Sequence, residues 1–325
     1  MKVALEELRK IAKSALRKQG YNEAESVQIL EVLLYAQMRG NNQGVVKLIG
    51  GGIPKAPDTG ELEVTKETAV STVIDAHHVH PMIAVCQAAQ MAINKAKENG
   101  VAVVGVNHIN TSSGAIGYYA GKIAEQGLVG VVMAAGPETV APAGSTEAIF
   151  GTNPLAIAVP GMDEPLVLDM TTAAMAFFGV VEAHAAGRKL PEGIAYDADG
   201  NPSTDPAKVL DGALRPFDKS QRGSGLSMMI QILAGPLVGA GSNNMTGNWG
   251  HLVLAINPEI LCGSESLRDG VAKIIAKVKS ARKMQGIDDI LVPGERGNRK
   301  ANAVLTADEI EIEDNLYAQL KKAAQ

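Results

Sequence analysis

Between residues 61 and 170 short apolar runs of strand character alternate with segments of helical spacing, which commits the chain to helices layered on a sheet. The runs are LEVTKETAVSTVIDA from 61, VAVVGV at 101–106, LVGVVMAA at 128–135, PLAIAVP at 154–160 and PLVLDM at 165–170. Two helical segments fall among them, 81–98 closed by Gly100 and 114–126 closed by Gly127. Glycine just past the last periodic residue is the usual way to end a helix, because it takes a left-handed conformation without penalty. Residues 61–220 therefore read as one mixed-sheet domain, and the fold class as α+β (mixed α/β).

The flanks are helical. The spacing predicts a helix over 4–18 ending at Gly20, then Asn22 as N-cap with Glu25 three residues on, opening a helix that runs to about Met38 before Gly40. The Gly- and Pro-rich stretch 40–60 connects this part to the sheet. After Gly223 come an apolar helix (226–239), a strand HLVLAINPE, an amphipathic helix with Val271, Ile274, Ile275 and Val278 on one face, and a last helix from about Asp314. ILVPGERGNRKANAV reads as a polar surface loop. The expected division is 1–60 packing with 221–325, and 61–220 as a separate sheet domain.

Composition narrows the function classes. Lys plus Arg number 30 against 35 Asp plus Glu, a net charge of -5, so there is no basic excess with which to hold nucleic acid. The apolar stretch 226–241 is interrupted by Gln231 and Pro236 and falls short of the ~20 apolar residues of a bilayer span. The N-terminus lacks the apolar run of a secretory signal, and Cys86 and Cys262 are too few for a disulfide framework. These features suit a soluble cytoplasmic protein without a membrane partner. The six histidines offer no HExxH and no zinc-finger spacing, and the cluster in AHHVHP reads as a solvated turn before a helix, so no metal is expected. There is no G-x-G-x-x-G, GYYAGK is one residue short of a P-loop, and no G-x-S-x-G elbow is present.

The segments GTNPLAIAVPG (151–161) and LDMTTA (168–173) carry a resemblance. In the same order stand YAQMRG, KENGVAVVGV, GAIGYYA, LPEGIAYDADGNPSTDPAK, AINPE and LVPGE. Together they closely resemble the type 2 malate/L-lactate dehydrogenase family, across nearly the whole chain. That family's members are NAD(P)-dependent oxidoreductases of lactate, malate, ureidoglycolate, sulfolactate, diketogulonate or cyclic imino acids. The resemblance implies a non-Rossmann fold, NAD or NADP as cofactor, a small-molecule carboxylate substrate, and a homodimer with sites at its interface. It places cofactor contacts on Asp169, Met170, Thr171 and Thr172, on Arg222 and Gly223, on Pro293, Gly294 and Glu295, and on Gly136, where relatives carry a polar residue beside the nicotinamide. Taken alone, LDMTTA runs from a strand into small hydroxyl residues at a helix start, where Asp169 and Thr171 either cap the helix or help it hold a phosphate.

At the expected catalytic positions the chain departs from the resemblance. A ketone accepting hydride needs a proton for the developing alkoxide, and a histidine is the usual donor. The resemblance puts that histidine where this chain has Ser112, and a second histidine where it has Gln43. Lys47 stands at the position of an arginine that would meet a substrate carboxylate. His108, four residues before Ser112, reads either as a replacement donor or as a loop histidine bonded to backbone. Three readings result: a 2-hydroxy/2-oxo acid oxidoreductase whose relay is replaced by His108, by Lys47 or by a water held by Ser112 and Gln43; a reductase of cyclic imino acids, which needs no alkoxide; or a ligand-binding family member with non-redox or lost catalysis.

Overall fold

A computed structural model describes residues 1–49, 53, 55–241 and 247–325. The chain opens with a three-residue strand β1 (Lys2–Ala4) and helix α1 (Leu5–Lys18). Next comes α2 (Glu23–Met38), whose start is the anticipated capping box, with Asn22 accepting from the Glu25 backbone and the Glu25 side chain accepting from the Asn22 backbone. Helix α3 (Pro81–Asn99) ends on Gly100 at φ 88°, and α4 spans Gly117–Glu125.

The sheet strands are β2 (Glu63–Glu67), β3 (Ser71–Asp75), β4 (Val101–Ile109), β5 (Val129–Ala134), β6 (Leu155–Val159) and β7 (Leu166–Met170). Beyond β7 lie α5 (Phe177–Ala185), the pair β8 (Ala195–Tyr196) and β9 (Ala213–Leu214) with α6 (Pro206–Leu210) between them, and α7 (Gln221–Ala234). Strand β10 (Trp249–Ile256), α8 (Ser264–Lys279), α9 (Glu295–Ala307), β11 (Glu309–Glu311) and α10 (Asp314–Ala324) complete the chain.

The seven-stranded sheet has the order β2-β3-β4-β10-β5-β6-β7. Only β3 and β4 run parallel among these neighbours, and the rest are antiparallel. This is not the all-parallel sheet that carries a glycine-rich dinucleotide loop, and it agrees with the mixed α/β, non-Rossmann expectation. The sheet is not confined to residues 61–220, because its central strand is β10, seated between β4 and β5. Alternation in β10 sends Val253 and Ala255 to the face covered by α3 and α4, and Leu252 to the face covered by α7 and Val238. The α3 side of that contact is built of Ala84, Ala88, Ala92 and Ala96, all fully buried, so backbone and sheet approach closely. The two ends of the chain meet: β1 pairs with β11, and Leu8 and Leu16 of α1 share one core with Tyr317 and Leu320 of α10.

One element corrects the sequence reading. ILVPGERGNRKANAV is not all loop, because α9 begins at Glu295 after Gly294 turns the chain at φ 82°. Glu295 and Arg299, a turn apart, pair on its surface, and Arg39, just past the end of α2, reaches its Asn298 at 3.2 Å. Gly297 and the even spread of polar residues hide the helical period, and Arg39 packs closely there: an added Cβ would meet its side chain at 3.2 Å.

Candidate active site

A cavity of about 1000 Å³ opens at the end of the sheet where β4 and β5 finish and β6 and β10 begin. This is a volume that accommodates a large cofactor together with a small substrate. Its walls come from the end of α2 and the following loop (Gln37, Gln43), the 110–116 loop, Gly136, Thr152, Asp169 and α5.

Lys47 sits behind this wall. The turn Val45–Leu48 that carries it is held by Gln37, whose Oε1 accepts from the Val45 backbone at 3.1 Å, and by the burial of Val45 and Leu48. Lys47 is 0% exposed, its Nζ lies 3.2 Å from the Phe178 ring centroid, and it donates to Ser112 Oγ at 2.8 Å. Among the described residues Ser112 Oγ is its one hydrogen-bond partner. Loss of solvation, with no carboxylate to offset it, drives the Lys47 amine well below the ordinary lysine range. His80, the buried N-cap of α3, is held down to about 3, first by burial and then by the Lys47 charge.

Ser112 lines the cavity because the 110–116 loop turns sharply after β4. Gly114 makes that turn at φ +72°, and a Cβ there would meet Val32 at 2.9 Å and Met82 at 3.0 Å, so both conformation and space require glycine. Gly117 is constrained differently. Its N–H donates to Asp169 Oδ2 at 2.8 Å, and a Cβ would press on Asp169 Cβ at 2.8 Å and on the same Oδ2 at 2.9 Å. Asp169 is open to the cavity but walled by protein, and desolvation pushes its carboxyl up to about 6 against the opposing Gly117 hydrogen bond.

The residues expected to hold cofactor separate into groups. Asp169 and Gly136 line the cavity, and a Cβ on Gly136 would meet nothing within 4 Å. Thr171 and Thr172 fasten the turn after β7 to the Thr152 carbonyl at 2.8 and 3.1 Å, and Met170 ends that strand beside Leu155. No helix starts at Thr171, since the next one is α5 at Phe177, so the anticipated helix N-terminus there is corrected to a hydroxyl-braced turn. Arg222 and Gly223 belong to the first turn of α7, where the Asp218 carboxylate already accepts from the Gly223 N–H at 3.1 Å. Neither lines the cavity. Gly294 packs on β7, its Cβ position 2.9 Å from the Val167 carbonyl, while Pro293 precedes it and Glu295 pairs with Lys279 at 2.5 Å.

Of the four residues considered for catalysis, the fold joins Ser112 and Lys47 by a hydrogen bond and places Gln43 on the cavity wall, its amide donating to Asn42 at 3.2 Å. His108 does not line the cavity. It stands next to last in β4 at φ 51°, bonds Asp75 through Nδ1 at 2.7 Å and stacks on His77.

One cavity residue was not singled out from the sequence. His251 of β10 is 2% exposed, neither ring nitrogen has a hydrogen-bond partner among the described residues, and burial holds its pKa down to about 3. Its strand is legible, but nothing in HLVLAINPE tells which of its residues faces a cavity. Among the described residues no set of His, Cys, Asp and Glu is arranged to hold a metal, and no helix is long and apolar enough to cross a membrane.

A mixed sheet of this order, with a large cavity at its strand ends, defines an α/β protein with a ligand-sized site. Residues 3–321 match the family model described as malate/L-lactate dehydrogenase. The chain is 31% identical to ureidoglycolate dehydrogenase (NAD(+)) of Escherichia coli K12, covering 98% of this chain and 95% of the relative. It is 32% identical to Δ1-pyrroline-2-carboxylate reductase 1 of Burkholderia ambifaria, covering 83% and 84%. The solved sulfolactate dehydrogenase of Methanocaldococcus jannaschii superposes with a TM-score of 0.82 at 33% identity, covering 99% of this chain and 96% of that one. The chain belongs to the malate/L-lactate dehydrogenase family and is an oxidoreductase.

Proposed function

We propose that this chain oxidises a small 2-hydroxy acid, or reduces the matching 2-oxo acid, with NAD or NADP as cofactor. The observation that carries the reading is that one cavity joins the Asp169 carboxylate and the unfilled space over Gly136 to Ser112, so a dinucleotide and a small acid fit side by side. The residues present suit the cofactor. Asp169 receives one backbone hydrogen bond and keeps acceptor capacity facing the cavity, as a ribose hydroxyl requires, and Gly136 leaves its wall bare where a flat ring is to lie. When bound, the nicotinamide supplies hydride acceptance or donation. The protein's part is to place the substrate carbon, with Gln43 and Ser112 on the wall against which a carboxylate and a hydroxyl are oriented.

A second reading is favoured by charge. The charged residues lining the cavity, Asp169, Glu182, Glu311 and Glu313, are all acidic, and an acidic wall suits a cationic cyclic iminium better than a simple anion. The similarity to the pyrroline-carboxylate reductase supports it. Titrating NADH and NADPH into the protein while following nicotinamide fluorescence, then adding 2-oxo acids and cyclic imino acids, decides between the two. Saturable binding with turnover of 2-oxo acids is expected; turnover of imino acids alone selects the second reading, and no binding of either nucleotide removes both.

The assembly we infer is a homodimer in the cytoplasm, where free Cys86 and Cys262 remain reduced. Helix α7 exposes Met228, Met229 and Ile232, and α8 buries no residue while Ile274 stands 66% exposed. Such apolar helix faces in a water-exposed position call for a partner surface. Sedimentation equilibrium is expected to return twice the chain mass, and Met229→Glu to return the single-chain mass. A monomeric wild type would refute the dimer.

A further inference from the structure

We propose that Ser112 and Lys47 form a two-residue proton relay, Ser112 Oγ meeting the substrate's carbinol oxygen and Lys47 Nζ, behind it, taking up and returning the proton. The inference rests on the functional reading above and deepens it.

Geometry carries the assignment. Ser112 stands on the cavity wall, and Lys47 Nζ touches its Oγ at 2.8 Å from the protein side. Lys47 has no surface in the cavity, and the Phe178 ring closes another side at 3.2 Å, so a proton passes between cavity and amine through Ser112 Oγ. A lysine placed to grip a carboxylate would present its ammonium to the ligand. This one presents a hydroxyl instead.

The groups that face Nζ leave it free to change protonation. Among the described residues they are Ser112 from the 110–116 loop, Phe178 from α5 and His80 from the N-cap of α3, and none is an anion that would lock it as an ammonium. With the amine neutral, the contact also runs the other way, Ser112 Oγ–H donating to the Nζ lone pair. An isolated serine hydroxyl is a poor acid or base, but one backed by a desolvated amine is not.

In the oxidative direction the step balances as follows. The substrate's carbinol C–H bond would break with its electron pair leaving as hydride, which a nicotinamide held beside Asp169 and Gly136 would accept as the two-electron oxidant. The O–H proton moves to Ser112 Oγ as the Ser112 proton moves to Nζ, leaving a carbonyl and a Lys47 ammonium. In reduction the ammonium gives its proton back through Ser112 to the alkoxide. Ser112 is thus the catalytic residue, and Lys47 a positioning residue that acts through it.

The test uses the full-length protein and the variants Ser112→Ala and Lys47→Met, which is close in length and cannot carry a proton. Each is expected to lower kcat by ~10²–10⁴-fold, with dinucleotide affinity and substrate KM within about threefold of wild type. The double variant should fall no further than the worse single, because one relay is broken either way. In Lys47→Ala, added methylamine should restore part of kcat saturably. A readout that needs no turnover is the ¹⁵Nζ resonance of labelled lysine. One neutral-amine signal is expected at a pH well below the ordinary lysine range, absent from Lys47→Met and shifted in Ser112→Ala.

Lys47→Met that keeps its kcat, or that raises KM with kcat unchanged, overturns the relay and returns Lys47 to gripping a carboxylate. So does a spectrum in which every lysine is an ammonium. Those outcomes leave dinucleotide binding intact, whereas a wild type that binds neither NADH nor NADPH defeats the functional reading itself.

Discussion

Lys47→Met is expected to melt at a higher temperature than the wild type. Lys47 is 0% exposed, and among the described residues its side chain makes one hydrogen bond, to a neutral hydroxyl. Folding therefore either buries an unpaired ammonium or strips its proton, and both cost free energy. Methionine fills similar volume with no charge to desolvate, and Ser112 Oγ, at the cavity wall, finds water in place of Nζ. Relief of a poorly satisfied buried polar group is worth about 1–3 kcal/mol, which for a chain of this size raises Tm by roughly 2–5 °C.

The pH dependence has a definite sign. Burial lowers the Lys47 pKa in the folded state while the unfolded chain keeps an ordinary one, so between the two the unfolded state holds one more proton. Stability then rises with pH across that window and is lost as pH falls through it. The methionine variant lacks this slope, so its advantage is largest near neutrality and fades as the solution approaches pH 10. Differential scanning calorimetry at pH 7 and pH 10 checks it. A lower Tm for the variant at both pH values would mean that the amine stabilises the fold. A residue that weakens the fold while serving the reaction is the usual pattern for a functional site.

What the sequence made visible follows the range of the interactions. The capping box at Asn22 and Glu25 and the αL closure at Gly100 are local chemistry, written within a few residues, and both are found where expected. Strand β10 was readable as a strand, but not as the centre of the sheet. Pairing Val253 with Val104 and with Val132 joins segments more than a hundred residues apart, and no local pattern records that. The α9 helix was lost for the opposite reason: its Gly297 and polar surface look like a loop unless Arg39 is known to lie against it.

The site divides the same way. Motifs brought Asp169, Gly136 and Ser112 forward, and one cavity gathers them. The burial of Lys47 was the unread part. A lysine inside VVKLIG has apolar neighbours on both sides, which is the available signal, yet whether its head reaches water depends on Phe178, contributed from residues far along the chain. His251 escaped notice because a histidine in an apolar strand is most often a core residue, and only the folded sheet sets it at a cavity with both nitrogens unpartnered.

Asp169 is expected to give dinucleotide binding a pH dependence opposite to that of a cationic anchor. Its carboxyl is pushed up to about 6, by desolvation first, so near pH 5 most of the free protein carries it protonated. A ribose hydroxyl donates to the carboxylate and draws the equilibrium toward the ionised form, which costs binding energy wherever that form is scarce. Affinity for NADH should therefore rise about tenfold from pH 5 to pH 7 and level off above it, one pH unit of deprotonation being worth 1.36 kcal/mol. Asp169→Asn should flatten the profile and weaken binding roughly 10–100-fold at pH 7, the range for losing a hydrogen bond to a charged acceptor. Gly117→Ala, which crowds the same carboxylate, should weaken binding while keeping the slope. Fluorescence titrations at pH 5, 6, 7 and 8 distinguish these cases. An affinity that strengthens toward acid would mean that the ligand accepts a proton from Asp169, and a flat wild-type profile with an unaffected asparagine variant would move the dinucleotide away from β7 altogether.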